Sequence, residues 1–197
     1  MNETLHYYDK NAGAFANGTA DIEFSEMQDM FLAELKEGAS ILDFGCGSGR
    51  DTRYFLQKGY RVTALDGSAE LCRIAEEKTG MSVIQMDFND FDEQDQYDGI
   101  WACSSILHLP KQELKNVLVH MEKALHNDGI IYTSFKYGDF SGMRNGRYFT
   151  DFTEDIFKMF VADMEQLVIE KLWITDDVRP GRQDEKWLNT ILRTTRR

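Results

Sequence analysis

Along this chain the spacing of apolar residues switches repeatedly between the two-residue period of a strand and the longer period of a helix. Before that alternation begins, residues 6–20 are polar and aromatic with weak helical character, and Met27, Met30, Phe31 and Leu35 then form a helical stripe. The spacing predicts that this helix starts at Ser25, with Gln28 completing a Ser-x-x-Gln capping box, and that Gly38 stops it. A short strand over 41–44 follows, then a glycine-rich loop, a helix to about Lys58 and a stop at Gly59. Residues 61–66 read as a second strand, Ser68 as the cap of a helix carrying Leu71, Ile74 and Ala75, and 82–87 as a third strand. A fourth strand covers 97–103, and Pro110 suits the first turn of a helix bearing Leu114, Val117, Leu118, Met121 and Leu125. Asn127-Asp128-Gly129 turns into a fifth strand over 130–136, and Thr153 opens a helix with Ile156, Met159 and Phe160. Two β-rich runs, 167–175 and 186–194, end the chain around the loop 176–185.

Strands that alternate with helices imply an α/β protein with a parallel sheet covered on both faces. The last two runs have only a loop between them, so they must pair antiparallel, leaving one reversed strand at the end of the sheet. With 197 residues, no internal repeat, no low-complexity tract and only Pro110 and Pro180 as prolines, one domain over 1–197 is the economical reading. A hydrophobic content of 42 % and an aromatic content of 12 % exclude a disordered chain. No apolar run approaches the ~20 residues that cross a bilayer, and the first residues lack a basic-then-apolar signal pattern. Twenty-two basic against 34 acidic residues leave a net charge of −12. Such a surface repels phosphate backbones and anionic lipid, which argues against duplex nucleic acid or a membrane as main partner, though a local basic patch stays open. Cys46, Cys72 and Cys103 are odd in number and lack C-x-x-C spacing, so they read as reduced thiols of a cytoplasmic protein.

The chemistry concentrates in Ile41-Leu42-Asp43-Phe44-Gly45-Cys46-Gly47-Ser48-Gly49-Arg50. Glycines after a strand allow a tight turn and let a ligand approach bare backbone. Asp66, at the end of the next strand, stands where such folds place a carboxylate for ribose hydroxyls. A dinucleotide loop wants G-x-G-x-x-G, but here the spacing is G-x-G-x-G and Arg50 occupies the position of the third glycine. Asp43 adds a carboxylate that a pyrophosphate would not welcome and a cationic amino group would accept. The pattern favours an amino-acid nucleoside over a nicotinamide dinucleotide.

Asp-x-Gly-x-Gly-x-Gly at 43–49, the acidic strand end at Asp66 and the run Met86-Asp87-Phe88 resemble the class I S-adenosylmethionine-dependent methyltransferases. The likeness runs from Tyr7-Tyr8-Asp9-Lys10 to Trp187-Leu188-Asn189 and is greatest to small bacterial methyltransferase-domain proteins, with some similarity to the tellurite-resistance type in Gly-Cys-Gly-Ser-Gly-Arg. The resemblance implies a doubly wound, Rossmann-like sheet of seven strands ordered 3-2-1-4-5-7-6, with S-adenosylmethionine as cofactor and S-adenosylhomocysteine as product. It implies that Gly45, Cys46 and Gly47 line the methionine moiety, with Asp43 and Arg50 beside them. Asp66, with Gly67 and Ser68, would hold the ribose, Asp87 and Phe88, after Met86, would flank the adenine, and Cys103 and Ser104 would lie under the sulfonium. It also implies that residues 1–37 form a helical cap in which Tyr8 faces the cofactor. A plain surface helix that docks Tyr7, Tyr8 and Phe15 on the body is the other reading of that segment.

Asp87 also fits a solvated acidic loop with Asn89, Asp90, Asp92, Glu93 and Asp95, while calcium is rejected because the EF-hand glycine and terminal glutamate are missing. No other metal site is expected. Substrates of open α/β sheets bind beyond the carboxyl ends of the strands. The loops expected there carry Tyr137 and five cations, Lys136, Arg144, Arg147, Arg179 and Arg182, unexpected on so acidic a protein. They are expected either to grip a carboxylate or phosphate of a small substrate or to pair with Asp139, Asp151, Asp176, Asp177 or Asp184. His108 is the expected general base, or else a loop histidine packed near Trp101 or Leu107. Methylation of RNA or protein, and cofactor binding without turnover, are the competing functions. The oligomeric state, monomer or homodimer, stays open.

Overall fold

The computed structural model describes residues 3–20, 22–182 and 184–196. Helices α1 (Glu3–Thr19) and α2 (Ser25–Leu32) lead into β1 (Ser40–Phe44), α3 (Arg50–Gln57), β2 (Arg61–Asp66), α4 (Ala69–Thr79) and β3 (Ile84–Gln85). Then come β4 (Tyr97–Ala102), α5 (Lys111–Ala124), β5 (Leu125–Lys136), β6 (Ser141–Arg144), β7 (Arg147–Thr150), α6 (Glu154–Ala162), β8 (Leu167–Asp176) and β9 (Lys186–Thr194). Seven strands form one sheet in the order β3-β2-β1-β4-β5-β9-β8, and β6 with β7 forms a separate ribbon. The five strands from β3 to β5 are mutually parallel, and β9 runs antiparallel to both of its neighbours. This is the expected layout, with the last two strands renumbered because the ribbon intervenes in the chain.

Alternation along the central strands fills both faces. Leu42, Phe44 and Ile100 face one way and meet Leu118 and Met121 of α5 and Phe157 of α6. Ile41, Trp101 and Tyr132 face the other way and meet Phe31 of α2 and Phe55 of α3. On that side the rings of Trp101 and Tyr132 stack with centroids 4.0 Å apart. Gly99 lacks the Cβ that would meet Phe31 and Leu35, so α2 comes close to β4.

Several local expectations are corrected. Ser25 begins α2, but the cap position is Phe24 and no side chain caps it. Gln28 cannot complete a capping box because it is buried and its amide donates instead to Asp51 Oδ1 at 2.7 Å. The helix ends at Leu32 rather than Gly38, where the chain must turn back to enter β1. The third strand shrinks to Ile84–Gln85, an edge segment paired on one side only. Residues 127–129 are absorbed into β5 beside a register shift against β4, with Asp128 in the left-handed region at φ 62°. The stretch 137–150, expected as loop, holds the β6–β7 ribbon. Its turn is Asn145-Gly146 with φ of 53° and 77°, the conformation that two-residue hairpins require. Among the described residues, no helix is long and apolar enough to cross a membrane.

Phe31 is fully buried, with ring centroids 5.2 Å from Trp101 and 5.8 Å from Phe55. Phe31→Ala is expected to cost about 3–5 kcal/mol of unfolding free energy in urea titration, and a loss below about 1 kcal/mol would show that α2 is not part of the cooperative core.

Candidate active site

A cleft of about 530 Å³ opens at the carboxyl ends of the parallel strands. Its floor is the loop between β1 and α3. Gly45 adopts φ +81°, and a Cβ there would lie 2.4 Å from Ser105 Cβ and 2.9 Å from Phe88. Only glycine fits that position without moving the neighbouring loops. The amides of Gly45 and Cys46 both donate to the carbonyl of Leu65 at 2.9 Å, and that of Gly47 donates to Asp66 Oδ2 at 2.8 Å. A phosphate cradle aims such amides at its ligand. Here they are spent on the tip of β2, so the loop offers backbone surface rather than an anion nest.

Asp66 Oδ1 accepts from the amide of Ser68 at 2.8 Å, so the carboxylate joins the loop to the start of α4. Burial raises its pKa to about 6 against the pull of these amides. Each carboxylate oxygen retains lone-pair capacity towards the cleft. Ser68 caps α4 by accepting from Leu71 N and donates to Asp9 Oδ1 at 2.6 Å, which ties α1 across the opening. On the other side of the floor, Asp87 accepts from Asn89 N at 3.0 Å, and Phe88 packs on Phe44 with centroids 4.6 Å apart. Asp87 therefore caps a short turn as well as lining the cleft.

The expected cofactor residues separate by position. Tyr8, Gly45, Cys46, Gly47, Arg50, Asp66, Gly67, Asp87, Phe88, Cys103 and Ser104 line the cleft. Asp43, Ser68 and Met86 lie outside its lining. Asp43 is buried beneath the loop, where burial pushes its pKa up and Thr52 Oγ1 donates to it at 2.5 Å. Met86 packs against the main core. At the tip of β4, Ser104 takes φ 53°, a left-handed conformation held by a 2.9 Å bond from its amide to Ser134 Oγ.

Sequence reading overlooked Asp51. Burial alone would raise its pKa, but Arg50, Trp101 and Gln28 overcome this and hold it low. Arg50 donates to both Asp51 oxygens, at 2.7 and 2.9 Å, and lies over the ring of Phe24 at 4.8 Å. Its adjacency to Arg50 in sequence gave no hint that it would face inward.

The rim cations mostly follow the ion-pair expectation. Lys136 pairs with Asp177 at 3.1 Å and with Glu185, and its ammonium lies 4.1 Å over Trp187. Arg179 pairs with Asp177, which the guanidinium, Trp187 and Lys136 together hold far below the usual carboxylate range although burial opposes them. Arg182 reaches Glu185 at 3.7 Å, and Arg144 takes Asp151 at 2.8 Å. Tyr137 and Arg144 lie outside the cleft lining, Tyr137 because it is exposed and Arg144 because Asp151 draws it aside.

Arg147 differs. It is the first residue of β7, directly opposite Arg144 in the ribbon. Among the described residues it has no carboxylate partner, and its buried Nε has no hydrogen-bond partner. Its guanidinium lies 4.5 Å from the ring of Tyr7 and 5.2 Å from that of Phe149, and Nη1 donates to Tyr8 Oη at 3.3 Å. Tyr8 Oη lies 2.8 Å from His108 Nε2, and His108 Nδ1 lies 2.6 Å from the carbonyl of Tyr148. Burial lowers the His108 pKa to about 4, so the ring is neutral at pH 7. A carbonyl only accepts, hence Nδ1 carries the proton and Nε2 accepts from Tyr8. The chain order of these contacts could have been suspected from one signal, Asn145-Gly146, which marks the hairpin that brings Arg147 and Tyr148 to the cleft.

A seven-stranded sheet of this order, with a glycine loop and acidic strand tip beneath an N-terminal helix, is the class I methyltransferase fold. The model of the methyltransferase domain family matches residues 41–129. An uncharacterized methyltransferase of Staphylococcus carnosus is 28 % identical over 179 residues, covering 86 % of this chain and 85 % of that protein. (S)-coclaurine N-methyltransferase of Thalictrum flavum is 23 % identical, over 90 % of this chain but only 55 % of its own length. Among solved structures, the 1,6-didemethyltoxoflavin-N1-methyltransferase of Burkholderia thailandensis, crystallised with S-adenosylhomocysteine, superposes with a TM-score of 0.80. That match covers 97 % of this chain and 87 % of the other at 22 % identity. A TehB-like S-adenosylmethionine-dependent methyltransferase of Corynebacterium glutamicum matches at a TM-score of 0.69 and 20 % identity, over 97 % of this chain and 98 % of that one. Together these matches support a class I S-adenosylmethionine-dependent methyltransferase.

Hydroxyl donors favour an ionised acceptor, so cofactor affinity measured by calorimetry is expected to be flat above the Asp66 pKa of about 6. Below it, as Asp66 takes a proton, affinity is expected to weaken by up to about tenfold per pH unit. Affinity unchanged between pH 7 and pH 5 would remove Asp66 from cofactor binding.

Proposed function

We propose that this chain transfers the methyl group of S-adenosylmethionine to a small molecule that carries a carboxylate or phosphate. The residues of the cleft fit the cofactor. Gly45 leaves room for a ligand against the main chain, Asp66 can accept from ribose hydroxyls, and Asp87 with Phe88 offers an acceptor and a ring edge for the base. The cofactor brings an activated methyl group on a good leaving group, so the protein need not create one. What the chain supplies is alignment, which alone can be worth roughly 7–11 kcal/mol, and cover from water. The face of α1 that bears Tyr8 and Phe15 roofs the cleft, and its Asp9 bond to Ser68 anchors that roof.

The observation that carries the substrate class is Arg147. Among the described residues, every other cation of the rim is matched to a carboxylate, whereas Arg147 lines the cleft without one. A planar fork in a part-buried, aromatic setting suits an anionic oxygen group better than any neutral one. Roofing by α1 and the β6–β7 ribbon favours an acceptor of low mass. Coclaurine and 1,6-didemethyltoxoflavin, named for two of the similar enzymes, are compounds of that size. The net charge of −12 opposes a polyanionic acceptor such as RNA.

Transfer of isotope-labelled methyl groups from S-adenosylmethionine into a low-molecular-mass cell extract tests this directly. Label is expected in acidic metabolites, and Arg147→Gln is expected to slow labelling by at least about tenfold while cofactor affinity stays within about twofold. Labelling of neutral compounds, protein or RNA at a rate that Arg147→Gln leaves unchanged would refute the proposal.

A further inference from the structure

The contacts around Tyr8 narrow the acceptor further, an inference that rests on the methyltransferase reading. The phenol oxygen has its proton committed to His108 Nε2 at 2.8 Å and one lone pair engaged by Arg147 Nη1 at 3.3 Å. One lone pair remains, and Tyr8 lines the cleft. His108 cannot reverse this order, because its own proton is held at Nδ1 by the Tyr148 carbonyl, 2.6 Å away. The row therefore has a direction: a proton offered from the cleft can be taken by Tyr8 as Tyr8 passes its own to His108. Beside it, Arg147 has no carboxylate partner among the described residues and its Nε is unbonded, so the spot carries excess positive charge.

We infer that the acceptor is a hydroxy or amino acid in the broad sense, bearing an O–H or N–H nucleophile close to its carboxylate, phosphate or phosphonate, with Arg147 gripping the anion and Tyr8 receiving the proton. Partners that each sit one hydrogen bond beyond Arg147 Nη1 and Tyr8 Oη are about 3–5 Å apart, the span of an ortho-substituted aromatic acid or a 2- or 3-substituted aliphatic one. In the reaction the nucleophile's electron pair forms the new bond to the methyl carbon, and the carbon–sulfur pair remains on the sulfur. The proton of the O–H or N–H goes to Tyr8 Oη, and the Tyr8 proton goes to His108 Nε2, from which it leaves to solvent with the product. Tyr8 is thus the catalytic residue and His108 a positioning residue that acts through it. Burial is what chiefly disfavours charge on His108, so the protonated ring is transient, and the bound anion eases only the smaller repulsion from Arg147 beside it.

The test is calorimetry on the full chain loaded with S-adenosylhomocysteine, using 2-hydroxybenzoate, 3-hydroxybutyrate, 4-hydroxybenzoate and 2-hydroxybenzyl alcohol as probes, followed by methyl transfer from S-adenosylmethionine. At least one of the first two is expected to bind about tenfold or more tighter than the para isomer and the uncharged alcohol. Arg147→Gln is expected to erase that preference and Arg147→Lys to keep part of it. With the better-bound hydroxy acid, Tyr8→Phe is expected to lower kcat about 100-fold with little change in KM. His108→Gln preserves an acceptor for Tyr8 but cannot keep a proton, so it too is expected to be slow. A rate restored by His108→Gln would reduce the pair to a structural contact. Binding of both 2-hydroxybenzoate and 3-hydroxybutyrate no tighter than that of the para isomer, or no methylation of either, overturns the inference while S-adenosylhomocysteine binding upholds the methyltransferase reading. Failure of S-adenosylhomocysteine itself to bind overturns both.

Discussion

The architecture of the cleft depends on one buried carboxylate at the tip of β2. Asp66 receives the amide of Gly47 on one oxygen and the amide of Ser68 on the other. The first bond holds the glycine loop against β2, and the second sets the turn from which α4 starts. Through Ser68 Oγ the same turn reaches Asp9 and so fixes α1 over the opening. Floor, wall and roof are therefore positioned by a single group. Its burial is costly and lifts its pKa to about 6, but the amide donors keep it mostly ionised at neutral pH. A group with that environment is a structural pin, and the ligand-accepting role proposed for it is compatible with that one.

Charge balance explains how a protein of net charge −12 leaves an arginine without a carboxylate partner at the cleft, among the described residues. The acidic groups near the cleft are used locally: Asp51 on Arg50, Asp151 on Arg144, and Asp177 on Lys136 and Arg179. Buried ion pairs of this kind mainly avoid the penalty of an isolated charge and set geometry, adding little net stability. Arg147 is left over because β7 delivers it to a place walled by Tyr7, Tyr8 and Phe149. Aromatic faces soften the cost of its burial without satisfying its N–H groups.

Much of the fold was legible in the chain itself. Periodicity located the helices and strands of the alternating core, and the lack of any helix between the last two runs implied the reversed strand β9. The glycine loop and Asp66 were readable because backbone geometry demands those residue types there. What escaped was set by contacts distant in sequence. Gln28 left its capping box for a buried partner 23 positions away, and no local pattern could show that. Asp51 reads as an ordinary first-turn acid, yet Trp101 and Gln28 draw it inward. The rim cations could be counted but not sorted, since pairing of Arg144 with Asp151 and isolation of Arg147 depend on how a four-residue ribbon twists. His108 was identifiable as a candidate base, but its orientation by Tyr148 and its engagement by Tyr8 needed the three-dimensional structure.

The central claim is that the cleft above Gly45 is shaped for a sulfonium-bearing nucleoside held from the tip of β2. A crystal structure of the chain grown with S-adenosylmethionine measures this most directly. The account predicts the ribose hydroxyls on Asp66, the base beside Asp87 and Phe88, and the methyl group turned towards Tyr8. A cleft that stays empty at saturating cofactor, or one that takes NADH in its place, would contradict it.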